Sequence, residues 1–378
     1  MFKKIRILLL TFLACIFLYA NGQDSPDISP RYYLHSLADT TKNPSYVPYI
    51  EHWINFLYAE NDSLRRAYWN PEDIKRWGNQ YALFYDGLFQ FPQKQLLTYF
   101  RPYILSVYCE ENFCRIATAF WIFNTEPSET AANNSNPFSI VEVGIYKNNG
   151  RYYLTNLFDR RSSNWERITS GKINYLVQPA IKPDHNQMKK AGHFVDSLAG
   201  VFSTSCDSIT YIVCRSPNEL GYLLGFNFFY AGFTYGKTFH DARTIMSGIR
   251  SFNYPHELSH LVIDPVIKGG HFFGEGLTTF FGGSQNKTYE EMVDEFKDKY
   301  PVVNDSLFKV ITAHRGSPYS YTLAAIITEY IYDKRGIEGL KALSGAPSGA
   351  HEFLGFLQEK TGISKQEVFE AINRKIRG

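Results

Sequence analysis

Five consecutive residues carry the most specific chemistry in this chain: His256, Glu257, Leu258, Ser259 and His260. On a helix, residues four apart share a face, with Cβ atoms about 5–6 Å apart. Two imidazoles at that spacing can both reach one zinc ion, each through a bond of about 2.0–2.1 Å. Glu257 sits one step round the helix. From there it can hold a water in the open metal position and take its proton. Pro255 suits the first turn of such a helix, and Pro265 stops it soon after the second histidine.

Two imidazoles leave a catalytic zinc one protein ligand short. The segment His271–Phe280 reads as a turn entering an apolar helix, with Glu275 in its first turn. Gly269 and Gly270 lie just before it and can reverse the chain, which would carry Glu275 back over the histidines. Asp264 continues the four-residue spacing and is the alternative third ligand. The nearby Pro265 favours a different role for it, as a cap or as a partner of a ligand. His271 reads as a loop residue.

The pair H-E-L-S-H and G-E-G-L-T-T-F-F-G-G resembles the gluzincin branch of the zinc metallopeptidases, the peptidase MA-like group, over about residues 172 to 345. The resemblance implies a zincin-like fold and Zn2+ held by His256, His260 and Glu275. It implies Glu257 as general base and a peptide or protein as substrate. It also implies a tyrosine about one helical turn before a small-residue pair, donating to the oxyanion. Tyr321 holds that place relative to Ala324 and Ala325, with Tyr319 and His314 as alternatives. In similar enzymes an extended segment before the metal helix pairs with substrate backbone, and Ala231, Gly232 and Phe233 fall in that segment. Two features depart from the family pattern. The interval from His260 to Glu275 is shorter than in familiar aminopeptidases, and Gly274 stands where an asparagine often precedes the ligand glutamate. No amine-anchoring motif is evident, which favours endopeptidase over aminopeptidase action.

Elements that could position these residues follow from periodicity and punctuation. In the second half, His185–Phe202 reads as a helix and Ile209–Cys214 as a strand. Ser216–Glu219 has the pattern of a capped helix start. Phe228–Thr238 and Ala242–Ser247 look extended, and from Phe252 onward the chain is mostly helical, its last helix capped by Ser364. In the first half, Tyr46–Phe56 is helical in pattern, and Asn70-Pro71 opens another helix. Aromatic and β-branched runs then flank Cys109–Cys114, and a second pair flanks Lys147-Asn148-Asn149-Gly150, a hairpin signal. Thr125–Pro137 reads as a polar loop. The fold class is therefore α+β. An N-terminal domain of helices and antiparallel strands covers residues 23–168, and the metallopeptidase-like domain covers 172–378. All five tryptophans precede residue 166, which supports a boundary near Ser170-Gly171. In element order alone, the first domain resembles the cone-shaped domains of the nuclear transport factor or cystatin kind. No function is carried over from that likeness.

Composition narrows the setting. The chain has 378 residues, 44% hydrophobic and 20% charged, with a formal charge of +2. That balance is wrong for a disordered chain and leaves no electrostatic footprint for nucleic acid. Lys3, Lys4 and Arg6 precede an apolar run from Ile7 to Ala20, too short to span a bilayer comfortably. Residues 1–22 are therefore expected to be a signal peptide cleaved after Gly22, giving an exported chain with no membrane span. Four cysteines remain, and an exported setting favours the local pairs Cys109–Cys114 and Cys206–Cys214. The expectation is an exported zinc metallopeptidase. Its rivals are a binding protein on an idle peptidase fold and a zinc hydrolase of a non-peptide bond.

Overall fold

The computed structural model describes residues 31–88, 93–122, 137–314 and 316–378. The expected signal peptide and nearly all of the expected loop at 125–137 lie outside them. The architecture is mixed α+β, with two sheets and two hydrophobic cores.

The first half begins with β1 (Tyr33–Leu34). Five helices follow: α1 (Val47–Leu57), α2 (Asp62–Ala67), α3 (Pro71–Trp77), α4 (Tyr85–Leu88) and α5 (Gln93–Tyr99). The Asn70 side chain accepts from the Glu72 amide and starts α3, with Pro71 in the first turn, as its residue types require. Then come β2 (Phe100–Glu110), β3 (Phe113–Ile122), β4 (Ser139–Asn148) and β5 (Arg151–Thr155). The sheet order is β1-β2-β3-β4-β5, antiparallel except at β1–β2. The Cys109–Cys114 disulfide forms across the β2–β3 hairpin, as expected. At the β4–β5 hairpin both Asn149 and Gly150 have positive φ, which the tight turn demands. Helices cover one face of this sheet. Trp53, Phe56, Trp69, Trp77 and Phe84 are buried there, each contributing roughly 1.5–3 kcal/mol by leaving water. The Trp53 indole donates to Thr118 Oγ1 at 2.9 Å, tying α1 to β3.

The second half adds α6 (Phe158–Arg161), β6 (Glu166–Ser170), β7 (Ile173–Val177), α7 (His185–Phe202), β8 (Ile209–Val213), α8 (Pro217–Leu223), β9 (Phe226–Phe229), β10 (Gly236–Phe239) and β11 (Thr244–Ser247). The rest is helical: α9 (Pro255–Ile263), α10 (His271–Gly282), α11 (Tyr289–Lys299), α12 (Asp305–Thr312), α13 (Pro318–Lys341, interrupted at Gly336), α14 (Ala350–Thr361) and α15 (Lys365–Arg377). The second sheet runs β10-β11-β8-β7-β6, with parallel pairs β11–β8 and β8–β7 and antiparallel pairs at both ends. Gly171, where composition places the boundary, is the turn between β6 and β7 of this one sheet.

Two features join the halves. Strand β9 leaves the second half and pairs with β4 of the first sheet. The second sheet also serves both cores. Ile209, Tyr211 and Val213 pack with α7 and α9, whereas Ile212, Cys214, Met246 and Phe239 pack with the N-terminal aromatics. The period of two along a strand produces that division. It also corrects the expected Cys206–Cys214 disulfide. Cys206 is buried on one side of the sheet and Cys214 on the other, and both thiols are free. No described helix is long and apolar enough to cross a membrane.

Candidate metal centre

Helix α9 presents His256 and His260 on one face, with ring centroids 5.1 Å apart. Helix α10 returns over that face. Two glycines let it come close. A Cβ on Gly276 would lie 2.8 Å from the Ala324 carbonyl oxygen on α13, and one on Gly282 would lie 2.6 Å from the Pro255 backbone. The helix begins at His271, so Glu275 stands one turn inside it and not in its first turn. His271 is accordingly a helical residue and not a loop residue; the Gly269-Gly270 reversal is complete before it. The return brings Glu275 Oε2 to 3.2 Å from His256 Nε2, and Oε1 to 3.8 Å from His260 Nε2.

Hydrogen bonds fix which ring nitrogens face inward. His256 Nδ1 lies 2.8 Å from the Gly283 carbonyl, which can only accept. Nδ1 therefore carries the proton, and in the neutral ring Nε2 offers a lone pair. His260 Nδ1 lies 3.0 Å from Asp264 Oδ2, with the same consequence. Asp264 is thus a partner of His260 and not a third ligand. It also meets His240 Nε2 at 3.1 Å. Three lone-pair atoms, from His256, His260 and Glu275, lie within 4.8 Å of one another. Glu275 Oε2 is buried with no hydrogen-bond partner. Lone pairs so placed repel one another unless a proton or a cation lies between them. Tetrahedral bonds of about 2.0–2.1 Å put ligand atoms about 3.3 Å apart, close to the 3.2 Å between Glu275 Oε2 and His256 Nε2. The residues fit a metal ion.

Electrostatics point the same way. Burial works against a charge on His260, but Asp264, Glu275 and Glu257 outweigh it and push the imidazole up to about 9. Burial would raise the Asp264 carboxyl, yet the bonds from His240 and His260 hold it down at about 2. Glu275 is also held below its usual range, since its histidine neighbours outweigh burial. The pocket draws positive charge.

The other expected residues divide. Glu257 is buried beside the cluster, and its Oε2 accepts from Thr238 Oγ1 at 2.7 Å. Tyr321, on the first turn of α13, stacks 6.2 Å from the His256 ring and reaches Glu275. Burial, then Glu275 and Glu257, raise its phenol far above the ordinary tyrosine range. Tyr319 packs instead against Tyr300 and under Lys299. His314 is exposed and does not line the cavity. Ala231, Gly232 and Phe233, expected on a strand edge, lie in the connection between β9 and β10. Gly232 has φ +74° and its amide closes a turn on Phe229, which ends the extended run. The sheet edge beside the site is β10, and of the three residues only Phe233 lines the cavity.

These groups surround an open cavity of about 500 Å³. Sequence reasoning missed Thr238, His240 and the Gly283 carbonyl, all of which hold the site in place. The His240 hydrogen bond spans a tertiary contact that no local spacing encodes. The Gly283 contact depends on backbone, which carries no residue signature. The arrangement can bind a cation and offers it a carboxylate base and a phenol donor on the open side. No protein-family model matches the chain, and no curated protein matches it.

Proposed function

We propose that the chain is an exported zinc metallopeptidase whose second half is a zincin-like catalytic unit. One observation carries the reading: three lone-pair donors, buried or nearly so, converge beside a carboxylate base and a protonated phenol, at the wall of an open cleft. His256, His260 and Glu275 would hold the ion. When bound there, zinc would supply Lewis acidity and lower the pKa of a neighbouring water. Glu257 accepts that water's proton and delivers it to the leaving amine. The Thr238 hydroxyl keeps the Glu257 carboxylate turned into the cleft. Tyr321, kept neutral by burial and by two neighbouring carboxylates, donates to the oxyanion as charge develops. Asp264 and the Gly283 carbonyl fix the tautomers and orientations of the two imidazoles.

The test uses purified mature protein. We expect about one zinc per chain and hydrolysis within a broad peptide library. Glu257→Gln should retain the metal and lose about 10²–10⁴-fold in turnover. Equal hydrolysis by wild type and variant would sink the catalytic assignment, and absence of metal after reloading would sink the whole reading.

A further inference from the structure

The cavity wall facing the metal helices is a short aromatic connection between the two sheets. Strand β9 is paired into the N-terminal sheet, and β10 is the edge of the other. Phe233, Thr234 and Tyr235, between them, line the cavity. Ring contacts tie this connection back to the first half. Phe100 meets Phe138 at 4.7 Å, Phe138 meets Phe229 at 5.7 Å, and Phe229 meets Phe233 at 5.9 Å. Phe233 also presses on Gly221 of α8, where a Cβ would lie 2.4 Å from the ring. One side of the Phe233 ring is therefore fixed, while the residue stays partly exposed.

Large apolar side chains left in water are concentrated here. Phe228, Tyr230 and Tyr235 are 37%, 40% and 51% exposed within eight residues of chain. The wall also runs directly into the reacting groups: at Gly236, one residue past Tyr235, a Cβ would lie 2.7 Å from Glu257 Oε1. The described lining residues include no Lys or Arg that could pair an acidic side chain.

We propose that Phe233 and Tyr235 form the specificity wall of the cleft and receive an aromatic or large aliphatic side chain of the peptide, beside the scissile bond. Their backbone is set by the N-terminal sheet through β9 and Phe138. The first half of the chain thereby takes part in substrate selection. This rests on the peptidase reading above.

Two measurements separate the proposal from that reading. The first compares peptides carrying Phe, Leu, Ala or Asp at each position flanking the cleaved bond. Wild type should favour Phe or Leu over Ala by about 10-fold or more in kcat/KM at one position, with Asp poorest. Phe233→Ala and Tyr235→Ala should each shrink that ratio severalfold. The second measures binding of the same peptides to zinc-loaded Glu257→Gln, by a tryptophan-independent method such as calorimetry. Phe peptides should bind tighter than Ala peptides, and adding Phe233→Ala or Tyr235→Ala should remove the difference. Aromatic preference that survives both substitutions would overturn the wall. Binding preference without any hydrolysis by wild type would leave the wall standing and overturn only the peptidase reading.

Discussion

The cleft has two walls of opposite construction. On the helical wall, His256, His260, Glu257 and Glu275 are each buried or nearly so. His256 and His260 are held by hydrogen bonds to Gly283 and Asp264, and Glu257 by one from Thr238. On the facing wall the side chains are aromatic, partly exposed, and held through ring contacts to a distant sheet. The first wall pins atoms whose positions must hold to a fraction of an ångström for chemistry. The second offers area with little directional demand, which suits contact with variable side chains. Under the proposed reading, chemistry and selection would fall to elements held in different ways, by hydrogen bonds and by ring contacts, within one cavity.

The largest expected effect removes the first wall's purpose. Glu275→Ala should leave two imidazoles and no anionic ligand, so that zinc is lost on dialysis; metal content after gel filtration reads this directly. Retention of stoichiometric zinc would break the contrast between the walls at its centre. Next, Tyr321→Phe removes the donor proposed for the oxyanion and should cost roughly 10²–10³ in kcat with metal content unchanged. A loss seen only in KM would move Tyr321 to the binding side of the comparison. Asp264→Ala leaves the ligands in place but frees the His260 ring, and should weaken zinc affinity about 10–100-fold in competition with a chelator. The smallest effect belongs to the facing wall. Phe138→Leu, which touches no cavity group, should change the ranking among peptides severalfold without altering zinc affinity. Altered zinc affinity there would show that the walls are coupled and not divided.

How much of this was legible beforehand depends on the range of the contacts. His256, Glu257 and His260 are set by the pitch of one helix, and spacing alone names them. Glu275 required a chain reversal, which two glycines signalled, although the helix starts a turn earlier than the glycine pattern implied. Tyr321 and Tyr319 lie two residues apart on α13, and only packing against α10 decides which faces the cavity. The hairpins at Cys109–Cys114 and Asn149-Gly150 announced themselves through turn chemistry. Strand β9 did not, because pairing with a strand almost ninety residues earlier leaves no local mark. The same blindness placed Ala231–Phe233 on an edge that β10 actually forms.

The free cysteines carry a consequence for how the chain must reach this state. Cys206 and Cys214 are close in sequence, and an unfolded chain in an oxidising medium can join them readily. Once joined, they could not lie on opposite faces of the strand Ile209–Val213, and the central strand of the second sheet would be denied its place. The finished sheet works as an insulator: each thiol is sealed into a different core, beyond the other's reach. Under the proposed export, an intact molecule would require that β8 settle between β7 and β11 before oxidants find these two sulfurs.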